Sequence, residues 1–478
     1  MTRRVLAITA AACIGVALLA IHSPSERGPA MRDFEAYYAA GSATNAHSDP
    51  YAASLFHYEQ RIPGVEVSRP ELLPFVGAPP ALLLWSALAR IDYARAAKLW
   101  LVVLCAALAA TIAVAVARCG KAGVGDACVA SLCALSFVPI TSGISLGQPA
   151  LLAYAAAAIA LFAATRSTGV TALGVIGCAV QPNVGLASLP IIGKKRGAVA
   201  FAISLPVLYL AGAAYLGFDW PIGYGRILTA HAIAERFIAI QYTPAAVLFG
   251  FGCLRALSVQ FGIAIAIAAL VLAVFGIART QSLERRFGIA CCALPLLSGF
   301  VHEHNFVLLF IPALWAARRF PARTQAIVVL AFGLTAVNWL DFAQQPRAVA
   351  QDAVLAFAAL AAIVAWQSER TVFSYGAAVA TCGIVAIGAY AGLHHPAPIW
   401  PNDMRPFALP PGASAAYIWH AEQVGTGLER QEPAWALLRS LSLAGSSLLL
   451  CVLCLAKPLN IDVHEVVERR DRIGVEVF

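Results

Sequence analysis

LWLVVLCAALAATIAVAVA, residues 99–117, runs for nineteen positions without a charge, a proline or a glycine. At 1.5 Å per residue such a helix is about 28 Å long, close to the ~30 Å hydrocarbon core of a bilayer. Lys98 and Arg118 bracket the run. Comparable apolar runs lie near 5–21, 72–89, 126–141, 149–165, 170–192, 198–217, 258–278, 287–300, 305–317, 324–339, 350–366, 372–393 and 435–456, about fourteen in all. Over 478 residues the chain is 60% apolar and 12% charged, with a mean hydropathy of +0.76. Soluble chains carry roughly 45–50% apolar and about 25% charged residues. A soluble enzyme, a disordered chain and a secreted disulfide scaffold are therefore excluded. The expected fold is an all-α polytopic transmembrane bundle of roughly 12–14 spanning helices.

Charge gives the expected orientation. Net charge is +8, and Lys and Arg gather in short connections: Arg90, Arg95 and Lys98; Lys194, Lys195 and Arg196; Arg279, Arg285 and Arg286; Arg318, Arg319 and Arg323. These belong on the cytoplasmic side, with Arg3–Arg4 before the run Val5–Ile21, read here as a first spanning helix, and with the charged tail. By parity, loops 22–71, 218–257, 301–304, 340–349 and 394–434 face out. The cysteines, Cys105, Cys178, Cys291 and Cys292 among them, sit in apolar stretches and read as small buried hydrophobes. The Cys451–Cys454 CxxC reads as helix packing. No like-charge block suggests a nucleic-acid arm.

Unusual polar residues concentrate in the outward segments. RDFEAYYAAGSATNAHSDPY opens at Arg32; Asp33 and Tyr37 are i and i+4 and share a helical face. A short interfacial helix fits, its carboxylate either solvated or functional. FVHEHNF, 300–306, clusters His302, Glu303, His304 and Asn305 at a membrane boundary, where polar groups are costly; a hydrated turn is the plainer alternative. HxH alone is a weak metal signal, and HExxH is absent. Arg226 and Arg236 flank His231 on the outer side and suit either a substrate phosphate or lipid phosphates. Gln148–Pro149 and Gln181–Pro182–Asn183 break apolar runs, as backbone facing a cavity does and as ordinary proline kinks also do.

Taken in order, these segments resemble glycosyltransferase family 87, the polyprenyl-phosphate-mannose-dependent mannosyltransferases of the C-type membrane fold. DFEAYYAAGSA followed by DPY resembles the first-loop motif, and FVGAPPALLLWSAL the Tyr-Pro-Pro segment. SFVPITSGISLGQPALLAYA resembles the Pro…Gly-Gln segment, and VIGCAVQPNVGLASLP with KKR the Lys-Pro helix and its basic end. The likeness covers about 1–320, read as the transferase module. Residues 321–456 add membrane helices and the loop 394–434; 457–478 form a cytoplasmic tail. Ala78 replaces a tyrosine before Pro79–Pro80, and Gln181 a lysine before Pro182; the second change removes a cation and bears on the donor or acceptor.

The resemblance implies transfer of a sugar, mannose or a similar hexose, from a polyprenyl-phosphate donor to a glycolipid or glycan acceptor at the outer face of the bacterial inner membrane. It implies Asp33 as general base with inversion, and a functional histidine among His302 and His304. Arg226, Arg236, Tyr37, Tyr38, Gln148, Gln181, Asn183, Glu303 and Asn305 are the further candidates for binding substrate. No cofactor, no metal and no nucleic-acid partner is expected; membrane lipids are. No Gly-rich phosphate loop appears in the sequence, which agrees with a donor other than a nucleotide sugar. A lipid-linked sugar transporter is the alternative: broken helices suit it, but ionisable residues at mid-membrane and internal repeats are wanting. A related transferase acting on lipid or protein, and a non-catalytic envelope subunit, are lesser rivals. The segment 394–434, with Trp400 and Trp419, fits a lid, an acceptor groove or a passive interfacial loop.

Overall fold

The computed structural model of the chain describes Gly15 and residues 31–63, 65, 71–120, 123–345, 349–400, 403–404 and 412–459. The run 5–21, Gly15 apart, and nearly all of the tail lie outside the described residues. Those described form an all-α bundle with no strand among them. In chain order the helices that matter are α1 (Arg32–Asn45), α2 (Leu82–Leu88), α3 (Tyr93–Cys119), α4 (Val124–Ser136), α5 (Val138–Leu146), α6 (Ala150–Ala163), α7 (Thr168–Cys178) and α8 (Lys195–Leu216). They continue as α9 (Trp220–Ala234), α10 (Arg255–Ala278), α11 (Leu283–Leu297), α12 (Phe310–Arg319), α13 (Ala322–Thr335), α14 (Val349–Trp366), α15 (Val372–His394), α16 (Ala415–Gly425) and α17 (Pro433–Leu455).

Among the described residues, six helices are long and apolar enough to cross a bilayer: α3, α8, α10, α14, α15 and α17. A seventh is counted if α4 and α5, bent by 62° at the break, form one span. The other apolar runs within the described residues fold as shorter helices, among them α6, α7 and α13. The outer face of the bundle is apolar. Phe261, Ile263, Ile267 and Val271 of α10, and Leu205 and Leu210 of α8, are exposed, as side chains facing lipid are.

The bundle has two chemically different ends. One is basic and tied by arginine forks. Arg318 grips Asp126 through both Nη atoms (2.6 and 3.1 Å) and donates from Nε to the Trp366 carbonyl (2.7 Å). Arg118 pairs with Glu284 (3.0 Å) and donates to Phe162 O (2.9 Å). Arg285 donates to the carbonyls of Leu453 and Ala456, at the last turn of α17. The contacts to Trp366, Phe162, Leu453 and Ala456 supply donors to carbonyls that a helix terminus leaves without one. The other end holds a cavity, and the five loops expected on one face all contribute to it.

Two runs depart from the expected topology. From Pro79 to Leu88 the chain makes a 3-10 turn and the seven-residue α2, a rise of about 15 Å, half a membrane. It stays at the cavity end against α1. The connection after it stays there too: Tyr38 Oη donates to Ile91 O (2.8 Å), and Tyr93 stacks on Phe34 (5.8 Å). Arg90, Arg95 and Lys98 therefore lie at the cavity end, not with the basic forks. Conversely, run 170–192 breaks at Gln181–Pro182. Its first limb reaches the cavity, and its second returns as a 3-10 helix, Leu186–Gly193, to the region of Arg286. One passage is lost and one gained, so the later loops keep their expected side.

Aromatic packing places α1. Phe34 lies almost parallel to Trp100 (5.9 Å, 12°), Trp85 meets Trp100 edge-on (5.0 Å), and Tyr37 packs on Trp85 (4.7 Å). α1 can approach α2 this closely because position 41 is glycine: a Cβ there would run into the Trp85 carbonyl. We expect Gly41→Val to destabilise the protein by about 1–3 kcal/mol or more, the usual cost of overpacking. Thermal unfolding in detergent measures it, and an unchanged melting temperature would contradict this packing.

Candidate active site

The cavity has a volume of about 500 Å³. Asp33 is on its wall, in the first turn of α1. The Met31 N–H is fixed by Ser145 O (2.7 Å), and Gly147 takes φ +75° with Phe34 against it. That left-handed turn, which glycine adopts without strain, delivers Gln148 to Asp33. Gln148 Nε2 donates to Asp33 Oδ2, and Tyr37 Oη donates to Gln148 Oε1 (3.1 Å). Burial lifts the Asp33 carboxyl above its ordinary range; the Gln148 hydrogen bond, Arg32 and His302 pull the other way. Burial raises the Tyr37 phenol far above its own range, with Asp33 adding to it, so Tyr37 remains a donor.

Facing this chain is a second group. Tyr242 N donates to Val301 O (2.8 Å), and Val301 N donates to Gln241 Oε1 (2.9 Å), so the Gln241 amide is held with Nε2 toward Glu235 and His302. His302 Nε2 is 3.2 Å from Glu235 Oε2, an ion pair when the imidazole is protonated. His302 and His304 lie nearly parallel (5.7 Å, 16°). Glu303 accepts from Ser142 Oγ (2.6 Å). His231, one turn before Glu235 on α9, is 2% exposed and lines the cavity, with no hydrogen-bond partner at Nδ1. Burial pushes its imidazole below the ordinary histidine range, against the pull of Glu235.

Of the residues singled out from sequence, Asp33, Tyr37, Gln148, Gln181, Asn183, His302, Glu303 and His304 line this one cavity. Four others do not. Tyr38 turns away, bonding Ile91 O and meeting Tyr93 edge-on (5.2 Å). Asn305 is a cap: its Oδ1 accepts from His302 N (2.8 Å). Arg226 is exposed and Arg236 partly exposed; helix α9 points Tyr224, Leu228 and His231 inward and Arg226 outward. The cavity-facing side of that segment is therefore His231 and Glu235, an i, i+4 pair that helical spacing marks on one side. Gln241, Asn338, Asp341, Gln345, Trp400 and Trp419 also line the cavity; no local pattern singles them out.

The roof is fastened by a second carboxyl. Glu422 of α16 accepts from Leu72 N (2.6 Å) and is 1% exposed; burial, with Glu71 nearby, pushes it up to about 9. The folded group keeps its proton up to that pH, whereas the unfolded one loses it near 4.5. The native state thus binds more protons in between, and stability falls as pH rises through that window. Glu422→Gln keeps the acceptor and removes the cost. We expect it to stabilise the protein progressively from pH 5 to pH 8, by up to about 1.4 kcal/mol per unit; unfolding curves at several pH values measure it, and a pH-independent difference would contradict it.

Glycosyltransferase family 87 matches the chain over residues 75–299. Asp33 and Tyr37 precede that stretch, and His302–His304 follow it. No curated protein and no solved structure matches the chain.

Proposed function

We propose that the chain, which glycosyltransferase family 87 matches over residues 75–299, is a multi-pass membrane glycosyltransferase that moves a hexose, mannose or a close relative, from a polyprenyl-phosphate donor to a hydroxyl of an envelope glycan or glycolipid. The reaction takes place at the outer face of the bacterial inner membrane and inverts the anomeric centre. The observation that carries this reading is the Asp33–Gln148–Tyr37 chain in a cavity that the His302–Glu235 pair also lines. It supplies a carboxylate base whose proton affinity is raised by burial, and a separate donor group for a departing phosphate.

Asp33 takes the proton of the acceptor hydroxyl. That oxygen attacks the anomeric carbon opposite the leaving group, through an oxocarbenium-like transition state. The glycosidic C–O bond breaks, and negative charge develops on the polyprenyl phosphate. His302, His231 and Arg32 line the cavity and are the candidate donors to meet it, Arg32 while paired with Glu71; Arg226 and Arg236 do not line it. The basic forks at the other end support an outward cavity, since positive charge favours the cytoplasmic side. The lipid-facing surfaces of α8 and α10 suit a donor that arrives through the bilayer.

The test supplies reconstituted protein with radiolabelled sugar on polyprenyl phosphate or on a nucleotide, beside extracted envelope lipids. Label entering a new glycoside from the lipid donor alone, with inverted configuration, is expected. Transfer from the nucleotide sugar, or label changing leaflet while still on its polyprenyl phosphate, would overturn the reading.

A further inference from the structure

One wall of the cavity comes from segments that lie beyond the family match. Trp400 and Trp419 meet edge to face, 4.7 Å apart at 77°, and both line the cavity. Trp419 is 7% exposed, and the indole Nε1 of each is buried without a hydrogen-bond partner. Buried indole N–H groups normally have one. Two such donors side by side indicate a ligand that accepts hydrogen bonds.

The rest of the wall is planar and polar. Asn338 Oδ1 accepts from Tyr242 Oη (3.0 Å), which leaves Nδ2 for the cavity. Gln344 Nε2 donates to Pro398 O (2.8 Å), which leaves Oε1. Asp341 and Gln345 are buried, and both line the cavity. Aromatic surface, amide donors, amide acceptors and a carboxylate match a ring that presents C–H faces and neutral hydroxyls. These six residues include no cation, and the cation nearest to them, Arg32, is paired with Glu71, so the wall favours neutral hydroxyls over a phosphate. It adjoins the base: the Arg32 guanidinium lies 5.1 Å from the Trp400 ring centroid, and Arg32 precedes Asp33 in the chain.

We infer that Trp400, Trp419, Asn338, Asp341, Gln344 and Gln345 form a saccharide subsite for the acceptor, so that the attacking hydroxyl belongs to a glycoside. This rests on the proposed transfer reaction and identifies the sugar-binding wall on the acceptor side of it.

The test uses full-length protein in nanodiscs and octyl α-mannoside, titrated below its micelle concentration, with octyl phosphate as the comparison probe. Wild type and Asp33→Asn bind the mannoside alike and in preference to octyl phosphate. Trp419→Leu binds it roughly tenfold more weakly, the effect of losing about one good polar contact. Gln345→Leu does the same and serves if Trp419→Leu does not fold. In transfer assays both variants raise KM for the acceptor and leave KM for the polyprenyl-phosphate donor unchanged. Unchanged mannoside binding in the folded variants would overturn the subsite. A rise in donor KM instead would assign the sugar to the donor and overturn the acceptor role. Full transfer by Asp33→Asn with normal mannoside binding would sink the assigned base while leaving the subsite standing.

Discussion

On the proposed mechanism we expect His302→Ala to lower the turnover number for sugar transfer by about 10²–10³, the scale of losing one donor aimed at developing negative charge. The effect falls on kcat more than on acceptor KM, because the charge that His302 meets appears only as the phosphate departs. Glu235→Gln gives a smaller loss. It keeps a hydrogen-bonding partner at 3.2 Å from His302 Nε2 but removes the carboxylate charge beside the ring. Initial rates over a range of donor concentrations, on protein with an unchanged melting curve, measure both. Wild-type turnover in His302→Ala would place the leaving-group chemistry at His231 or Arg32.

On the proposed mechanism Asp33→Asn removes the base, and we expect it to lower transfer by roughly 10²–10⁴. The amide keeps the shape of the carboxylate, so mannoside binding and melting temperature stay near wild type. The acid limb of the rate profile carries independent information. The base works only when deprotonated, and burial raises its pKa above the ordinary aspartate value, so activity falls at a higher pH than an exposed aspartate would give. Gln148 opposes that rise by donating to Oδ2. Gln148→Leu therefore moves the acid limb further up the pH scale, where a purely structural role for Gln148 would lower the rate at every pH alike.

The class of fold was legible in apolar run lengths alone, because backbone groups in a bilayer are satisfied within helices or closed barrels. The path of the chain was less so. ALLLWSAL is as apolar as a spanning helix, yet α2 buries Leu82, Trp85 and Leu88 against protein and is too short to cross. Hydropathy does not separate those two uses of leucine; the Pro79–Pro80 pair, favoured in the first turn of a helix, marks how late in the run the helical part begins. Run 170–192 errs the other way, with the Gln181–Pro182 break marking where one run becomes two limbs.

The site was half legible. Asp33 and Tyr37 share a helical face, and His302–His304 form a costly polar cluster, so each half announced itself. What joins them did not. Asp33 and Gln148 are 115 positions apart, and Gln241 and His302 are 61 apart; pairs so distant are set by packing that no local pattern encodes. Arg226 and Arg236 drew notice as charges on an outer loop, whereas α9 turns His231 and Glu235 inward. Their i, i+4 spacing was the better guide than charge. Trp400 and Trp419 resemble interfacial anchors by composition, and only their place on the cavity wall distinguishes them.

The most direct test reconstitutes wild type and Asp33→Asn side by side and supplies radiolabelled polyprenyl-phosphate sugar with extracted envelope lipids. The account predicts that wild type moves label from the polyprenyl phosphate into a new lipid or glycan product, and that equally expressed, folded Asp33→Asn leaves it on the donor. Equal transfer by the two proteins would contradict it.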